Sequence, residues 1–219
     1  MRDTPRPPSV SDQAAKGKPP SRVYMIDDDR RILTALSRLL SSAGYLVEPF
    51  TDAETFLANH DPQAPGCAVV DLSLPGKDGF EVQSALESCG RPVVFLSGHG
   101  DIPASVRAMK AGALDFLVKP VDADVLLAAV EQGTALDQAR RRSRDQRKLL
   151  AERFARLTAR ERQVLDHVVA GRLNKQIAGD LGTVEKTIKV HRGRMMHKLE
   201  VRTVADLVRL VGQFQAGRG

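Results

Sequence analysis

The sequence predicts an α/β doubly wound five-stranded parallel sheet followed by an all-α domain built on a helix-turn-helix. Three observations carry this reading. Short apolar runs alternate with helically spaced apolar residues from Val23 to about Gln132, the repeat that yields parallel strands with right-handed crossovers. Four of those runs end in polar residues suited to a single crevice: Asp27-Asp28-Asp29, Asp71, Ser97 and Lys119-Pro120. The charge then reverses along the chain. Residues 22–130 hold 9 basic and 15 acidic residues, residues 131–219 hold 20 and 10, and the first 21 residues add +2 to reach the overall +6.

Residues 1–21 are rich in Pro, Ser, Lys and Gly and are expected to form a disordered tail, since they cannot build a core. Val23–Ile26 is the first strand. Ile32, Leu33, Leu36, Leu39 and Leu40 follow at helix spacing, and Gly44 suits the helix exit. Leu46–Phe50 is a weaker strand placed at a sheet edge by Pro49, which cannot donate to a ladder. Cys67–Asp71, Val93–Leu96 and Phe116–Val118 complete the sheet, each as long as a strand buried on both faces. The remaining helices are expected near Ala53–Asn59, Gly79–Ser88, Pro103–Ala111 and Ala123–Gln132, closing a domain at residues 22–132.

Residues 133–154 change character. Ala139 is the only apolar residue between Leu136 and Leu149, while Arg140, Arg141, Arg142, Arg144, Arg147 and Lys148 crowd the same stretch. Without a sustained a/d seam this is a charged helical linker rather than a coiled coil. Direct DNA contact by this run is the less favoured alternative.

Residues 155–219 form the second domain. Thr158-Ala-Arg-Glu161 is a capping box opening a helix with Val164, Leu165, Val168 and Val169 inward and Gly171 at its end. A short helix from Asn174 to Leu181 follows, with Gly182 as its sharp exit. Thr183 is expected to cap the third helix, and Glu185 suits its positive dipole end. There Ile188, Met195 and Leu199 face inward, while Lys186, Lys189, Val190 and Gly193 share another face. A tight helix pair whose second member carries a basic, partly apolar stripe describes a helix-turn-helix fit for the DNA major groove. The last helix carries Val204, Leu207, Val208 and Val211, an i, i+3, i+4, i+7 stripe that can cover the domain core.

In a parallel sheet the strands' carboxyl ends open on a common crevice. Its carboxylates suit a hard divalent cation, and its hydroxyl and ammonium suit phosphoryl oxygens. Alone, a strand-end Asp is more often a cap or turn residue, and Asp29 is read as that ordinary case. Several carboxylates buried together are costly without a cation or cationic partner, which separates Asp27, Asp28 and Asp71 from it. Phe116 by itself is more often core, Lys186 and Lys189 can be a solvated face, and His99 is either an exposed loop residue or a cover for the site. Cys67 and Cys89 are read as small buried or half-buried thiols, five scattered histidines offer no zinc spacing, and two tyrosines with no tryptophan give no stacking platform for single strands. No stretch approaches the roughly 20 apolar residues of a membrane span, and no signal-like run opens the chain, so a cytoplasmic location without membrane contact is expected.

From Arg22 onward the chain resembles the two-component response regulators of the NarL/FixJ subfamily, a flavodoxin-like receiver domain followed by a LuxR-type helix-turn-helix. The likeness rests on Ile26-Asp-Asp28, Asp71-Leu-Ser-Leu-Pro-Gly76, Leu96-Ser-Gly98 and Lys119-Pro120, then on Leu157–Leu165, Asn174-Lys-Gln-Ile-Ala178 and Lys186–His191. The resemblance implies that Asp71 accepts a phosphoryl group from a sensor histidine kinase. It further implies that Asp28 and Asp71 ligate Mg²⁺ directly, Asp27 through water and Ser73 by its backbone carbonyl. Lys119 neutralises the transferred charge, Ser97 bonds the phosphoryl group and Phe116 rotates as the switch.

For the DNA-binding half it implies contacts by Asn174, Lys175, Lys186, Thr187, Lys189, Val190, His191 and Arg194, with Val190 able to read only apolar surface such as a thymine methyl. The expected product is a phosphorylation-dependent transcriptional regulator acting on promoter DNA as a homodimer when phosphorylated, with RNA polymerase as a further partner. It is expected to be no enzyme beyond slow self-dephosphorylation. Two readings compete. A Mg²⁺-dependent small-molecule phosphatase or phosphotransferase is disfavoured because the first strand lacks an Asp-x-Asp arrangement and no cap domain encloses a substrate. A DNA-binding protein independent of phosphorylation is disfavoured by the completeness of the acidic pocket.

Overall fold

The computed structural model describes residues 21–98 and 102–216, so the N-terminal tail up to residue 20 and His99 lie outside the described residues. The chain divides into two compact units between Arg140 and Arg141.

In the first unit, β1 (Arg22–Ile26), β2 (Leu46–Phe50), β3 (Gly66–Asp71), β4 (Val93–Ser97) and β5 (Asp115–Val118) form one parallel sheet in the order β2-β1-β3-β4-β5. Helices α1 (Arg30–Ser42), α2 (Ala53–Asn59), α3 (Gly79–Glu87), α4 (Ile102–Lys110) and α5 (Ala123–Ala155) alternate with the strands. The period-two pleat sorts the core into two layers. Tyr24, Ile26, Val70 and Phe95 pack with Phe56 of α2, Val82 of α3 and Ala108 of α4. The intervening Met25, Val69, Val94 and Leu96 pack with Leu33 and Leu40 of α1 and Leu126 and Val130 of α5. The doubly wound expectation is met.

Two strands depart from full burial for one reason, their place at the edges. β2 buries no residue completely, in keeping with Pro49. The run Phe116–Val118, expected to be buried on both faces, buries only Leu117, and Val118 is 47 % exposed. Asp29 behaves as the ordinary cap, its side chain accepting from the Arg31 amide at 2.8 Å. Cys67 is buried and Cys89 half-buried, and burial pushes the Cys67 thiol up to about 12.

Helix α5 does not stop near Gln132. Its next turns are anchored by polar groups that apolar periodicity cannot register: the buried Asp137 accepts from the Gly66 amide at 2.8 Å, and Arg140 donates to the Gly90 carbonyl at 3.1 Å. Among the described residues no helix is long and apolar enough to cross a membrane.

The second unit comprises the end of α5, α6 (Ala159–Val169), α7 (Asn174–Asp180), α8 (Glu185–Lys198) and α9 (Val204–Ala216). Val164, Val168, Ile177, Ile188, Met195, Leu199 and Leu207 form its core, and Phe154 stacks on Phe214 at 4.1 Å. The capping box opening α6 is present in both directions. Thr183, however, does not cap α8. The cap position is Val184, which offers no side-chain acceptor, while the Thr183 amide is used by the Ala178 carbonyl at 2.9 Å. The valine-leucine stripe of α9 divides: Leu207 and Val211 enter the core, whereas Val204 and Val208 stay 36 % and 44 % exposed.

Glu161 is buried and accepts from Lys198 Nζ at 2.6 Å as well as from the Thr158 amide at 2.8 Å. Burial alone would raise its pKa, but the Lys198 and Thr158 hydrogen bonds outweigh it and hold the carboxyl below its ordinary 4.5. A depressed acid pKa contributes stability that is present above the unfolded value and lost as pH falls through the folded one. The unfolding midpoint of this unit is therefore expected to fall as the pH drops below about 4.5, more steeply than in Glu161→Gln. Circular dichroism melts across acid pH measure the difference. Equal slopes would remove Glu161 from the account.

Candidate functional site

Parallel pairing brings the strand ends together. Ile26 is in register with Val70, Asp71 with Leu96 and Ser97 with Val118, so the residues just past β1, β3, β4 and β5 open on a shared rim. The rim straddles β1 and β3, where the strand order reverses and doubly wound sheets leave a crevice. Lys119 reaches across it, with Nζ 2.6 Å from Asp27 Oδ2 and 2.8 Å from Asp71 Oδ2. The other oxygens are also engaged: Asp27 Oδ1 accepts from the Asp29 amide at 2.9 Å, and Asp71 Oδ1 from the Ser73 amide at 3.1 Å. Asp27, Asp71 and Ser97 are buried, while Asp28 is exposed.

Electrostatics follow from that burial. Desolvation raises the Asp27 pKa, against the opposing pull of Lys119 and the Asp29 amide, and the neighbouring Asp71 charge adds to the rise. Burial would lower the Lys119 pKa, yet the hydrogen bonds it donates to Asp27 and Asp71 leave it raised, so the ammonium is held charged. One carboxylate oxygen from each of Asp27, Asp28 and Asp71 lies within 4.8 Å of the others. Three carboxylates against one ammonium leave two negative charges, and an all-oxygen donor set of that charge fits a hard divalent cation.

Aromatic rings lead away from the rim. The half-buried Phe116 lies 6.5 Å from Phe95, Phe95 lies 5.4 Å from Phe80, and the Arg107 guanidinium sits 4.0 Å above the Phe80 ring. Sequence reasoning took Gly79 only as a helix start and missed its role; it is the first residue inside the Asp78–Glu81 capping box. A Cβ there would stand 2.7 Å from the Asp71 carbonyl oxygen and 2.9 Å from the Phe95 ring, so α3 starts against the strand end only because the residue is glycine.

In the second unit Lys186, Lys189, Val190, Gly193 and Arg194 are exposed on α8, with Thr187 and His191 half-buried on its flank. Asn174 and Lys175 open α7, as the sequence placed them. The structure adds Arg192, absent from the expected contact set: its Nη1 donates to Asn174 Oδ1 at 3.0 Å. No local signal could find this pair, because Arg192 lies off the exposed stripe and its partner stands 18 residues earlier.

Residues 23–131 match the family model for the response regulator receiver domain, and residues 155–211 match that of the bacterial regulatory proteins of the luxR family. The chain is 42% identical over 192 residues to the response regulator protein TodT of Pseudomonas putida, covering 87% of this chain and 85% of that protein. This protein is a two-component response regulator of the NarL/FixJ type. It is also 40% identical to the transcriptional regulatory protein FixJ of Azorhizobium caulinodans, over 86% of this chain and 90% of the relative. The solved structure of the response regulator StyR superposes with a TM-score of 0.85 at 48% identity, covering 89% of this chain and all of that one. A receiver followed by a LuxR-type DNA-binding domain makes this response regulator a phosphorylation-dependent transcriptional regulator, with a sensor kinase upstream and DNA as its target.

Proposed function

We propose that Asp71 is the phosphoacceptor of this response regulator and that Asp27, Asp28, Asp71 and the Ser73 carbonyl hold Mg²⁺. The observation that carries the reading is Lys119 spanning Asp27 and Asp71 within 2.8 Å at the sheet's switch point. An Asp71 oxygen attacks the phosphorus of a phosphohistidine, the P–N bond breaks, and the electron pair leaves with the imidazole of the kinase. Bound Mg²⁺ supplies charge that lets anionic phosphoryl oxygens approach a carboxylate. Lys119 releases part of its hold on Asp71 to pair with the transferred group, and the Ser97 hydroxyl donates to the same group. Phe116, only half-buried and with Phe95 as its ring neighbour, has room to change rotamer and couple the site to the α4–β5 surface.

The receiver takes residues 22–132, residues 133–154 join it to the DNA-binding domain with their first turns anchored on the receiver through Asp137 and Arg140, and that domain takes residues 155–219. Lys186, Thr187, Lys189, Val190, His191 and Arg194 face the major groove, and Asn174 and Lys175 meet backbone phosphates. Phosphorylation favours a homodimer in which the exposed Val204 and Val208 of α9 pair with their copies, and the dimer engages promoter DNA and RNA polymerase in the cytoplasm. Light scattering and DNA binding before and after beryllofluoride treatment test the switch. Higher mass and tighter binding are expected, and neither changing at full occupancy would overturn it.

Contact roles are separable. Lys175→Ala is expected to weaken all sequences alike and to flatten the salt slope by about one, whereas Val190→Ala is expected to alter preference at particular base pairs. Sequence selection from a random duplex library measures both. A uniform loss in the two variants would displace the recognition face.

A further inference from the structure

We infer that Arg192 is a positioning residue for DNA binding, orienting Asn174 for a phosphate rather than meeting DNA itself. The inference rests on the reading that the start of α7 faces the DNA backbone. At about 100° per residue, Arg192 lies about 60° around α8 from Lys189 and about 40° from the buried Ile188. That places it on the flank between the basic stripe and the core. The structure agrees, for Arg192 and Asn174 are both half-buried while Lys175, Lys186 and Lys189 are exposed.

The chemistry of the pair has a direction. Asn174 Oδ1 accepts from Arg192 Nη1 at 3.0 Å. An asparagine amide has one acceptor oxygen and one NH₂ group, on opposite sides of the same planar carbon. Committing the oxygen to Arg192 turns the NH₂ away from the guanidinium, leaving a group that can only donate. A phosphate oxygen accepts and never donates, so the amide is preset in the orientation that DNA requires. Without Arg192 the side chain is free to present its oxygen, which repels phosphate.

The pair also ties the two helices of the motif. Asn174 is the first residue of α7 and Arg192 belongs to α8, so one hydrogen bond joins the supporting helix to the recognition helix beside the DNA-facing stripe. Leu173 and Val184 occupy the cap positions and offer no side-chain acceptor; at α7 the Gln176 side chain accepts from the Leu173 amide at 2.9 Å, and the Arg192 bond adds a tie to the other helix.

The test uses the full-length protein treated with beryllofluoride and a mixed-sequence DNA duplex, with affinity followed by fluorescence anisotropy over a salt series. Asn174→Ala and Arg192→Ala are each expected to weaken binding about tenfold, and the double variant no further than either alone, because both remove the same oriented donor. The salt slope of Arg192→Ala is expected to stay at the wild-type value while that of Lys175→Ala flattens by about one, since only the latter removes a charge that meets phosphate. Arg192→Lys, which keeps a donor for Asn174, is expected to recover most of the affinity.

Losses that multiply in the double variant, or a flattened slope in Arg192→Ala, would overturn the inference and make Arg192 an independent contact. Failure of Lys175→Ala to weaken binding would instead strike the underlying reading of the α7 face. If Arg192→Ala unfolds the domain, as a melt reveals, Asn174→Asp decides. It strengthens the tie to Arg192 but has no amide to donate, so a well-folded Asn174→Asp that binds as tightly as wild type would overturn the role of the amide.

Discussion

Asp71→Asn is expected to abolish labelling by small phosphodonors in the presence of Mg²⁺, a loss of at least about a thousandfold, on the order seen when a nucleophile is removed. The amide is nearly isosteric and its oxygen can still accept from the Ser73 amide, now 3.1 Å from Asp71 Oδ1. Lys119 keeps Asp27 as its partner at 2.6 Å, so the ammonium is not left buried and unpaired. The thermal midpoint is therefore expected to stay near that of the wild type while chemistry stops, because an amide oxygen cannot form a stable acyl phosphate. Mass spectrometry of intact protein after acetyl phosphate treatment reads the outcome. A single added phosphoryl group on the variant would move the acceptor away from Asp71.

The second large effect is structural. Gly66 opens β3 opposite Arg22 of β1, and a Cβ there would lie 1.9 Å from the Arg22 carbonyl oxygen, a contact that no side-chain rotation can relieve. Its φ of 154° also disfavours any other residue, and its amide is held by the buried Asp137 at 2.8 Å. Gly66→Ala must separate two central strands or break that bond, and is expected to cost about 4–5 kcal/mol or more, in the range reached only by severe lesions. Urea unfolding followed by circular dichroism measures it. A midpoint within error of wild type would mean that β1 and β3 separate at that end without cost.

The two effects show how the site depends on the scaffold. Asp71 is presented by β3 and Asp27 by β1, and the strand pair that Gly66 allows to approach at one end carries the acidic cluster at the other.

The alternation of apolar runs and helical spacing was enough to place all five strands and the helices between them, because a buried parallel strand and an amphipathic helix each leave a periodic signature in their own residues. The same holds for the capping box at Thr158 and the exits at Gly44, Gly171 and Gly182, where partners are three or four residues apart. The acidic crevice was legible too, since a parallel sheet sends all its carboxyl ends one way. What only the tertiary structure decided depends on residues far apart in the chain. Lys119 pairs with Asp27 across 92 positions, Asp137 holds the Gly66 amide across 71, and Arg192 holds Asn174 across 18. The partial exposure of β5 and the division of the α9 stripe likewise depend on which neighbour covers each face. Periodicity reports that a face is apolar. Only packing decides whether anything lies against it.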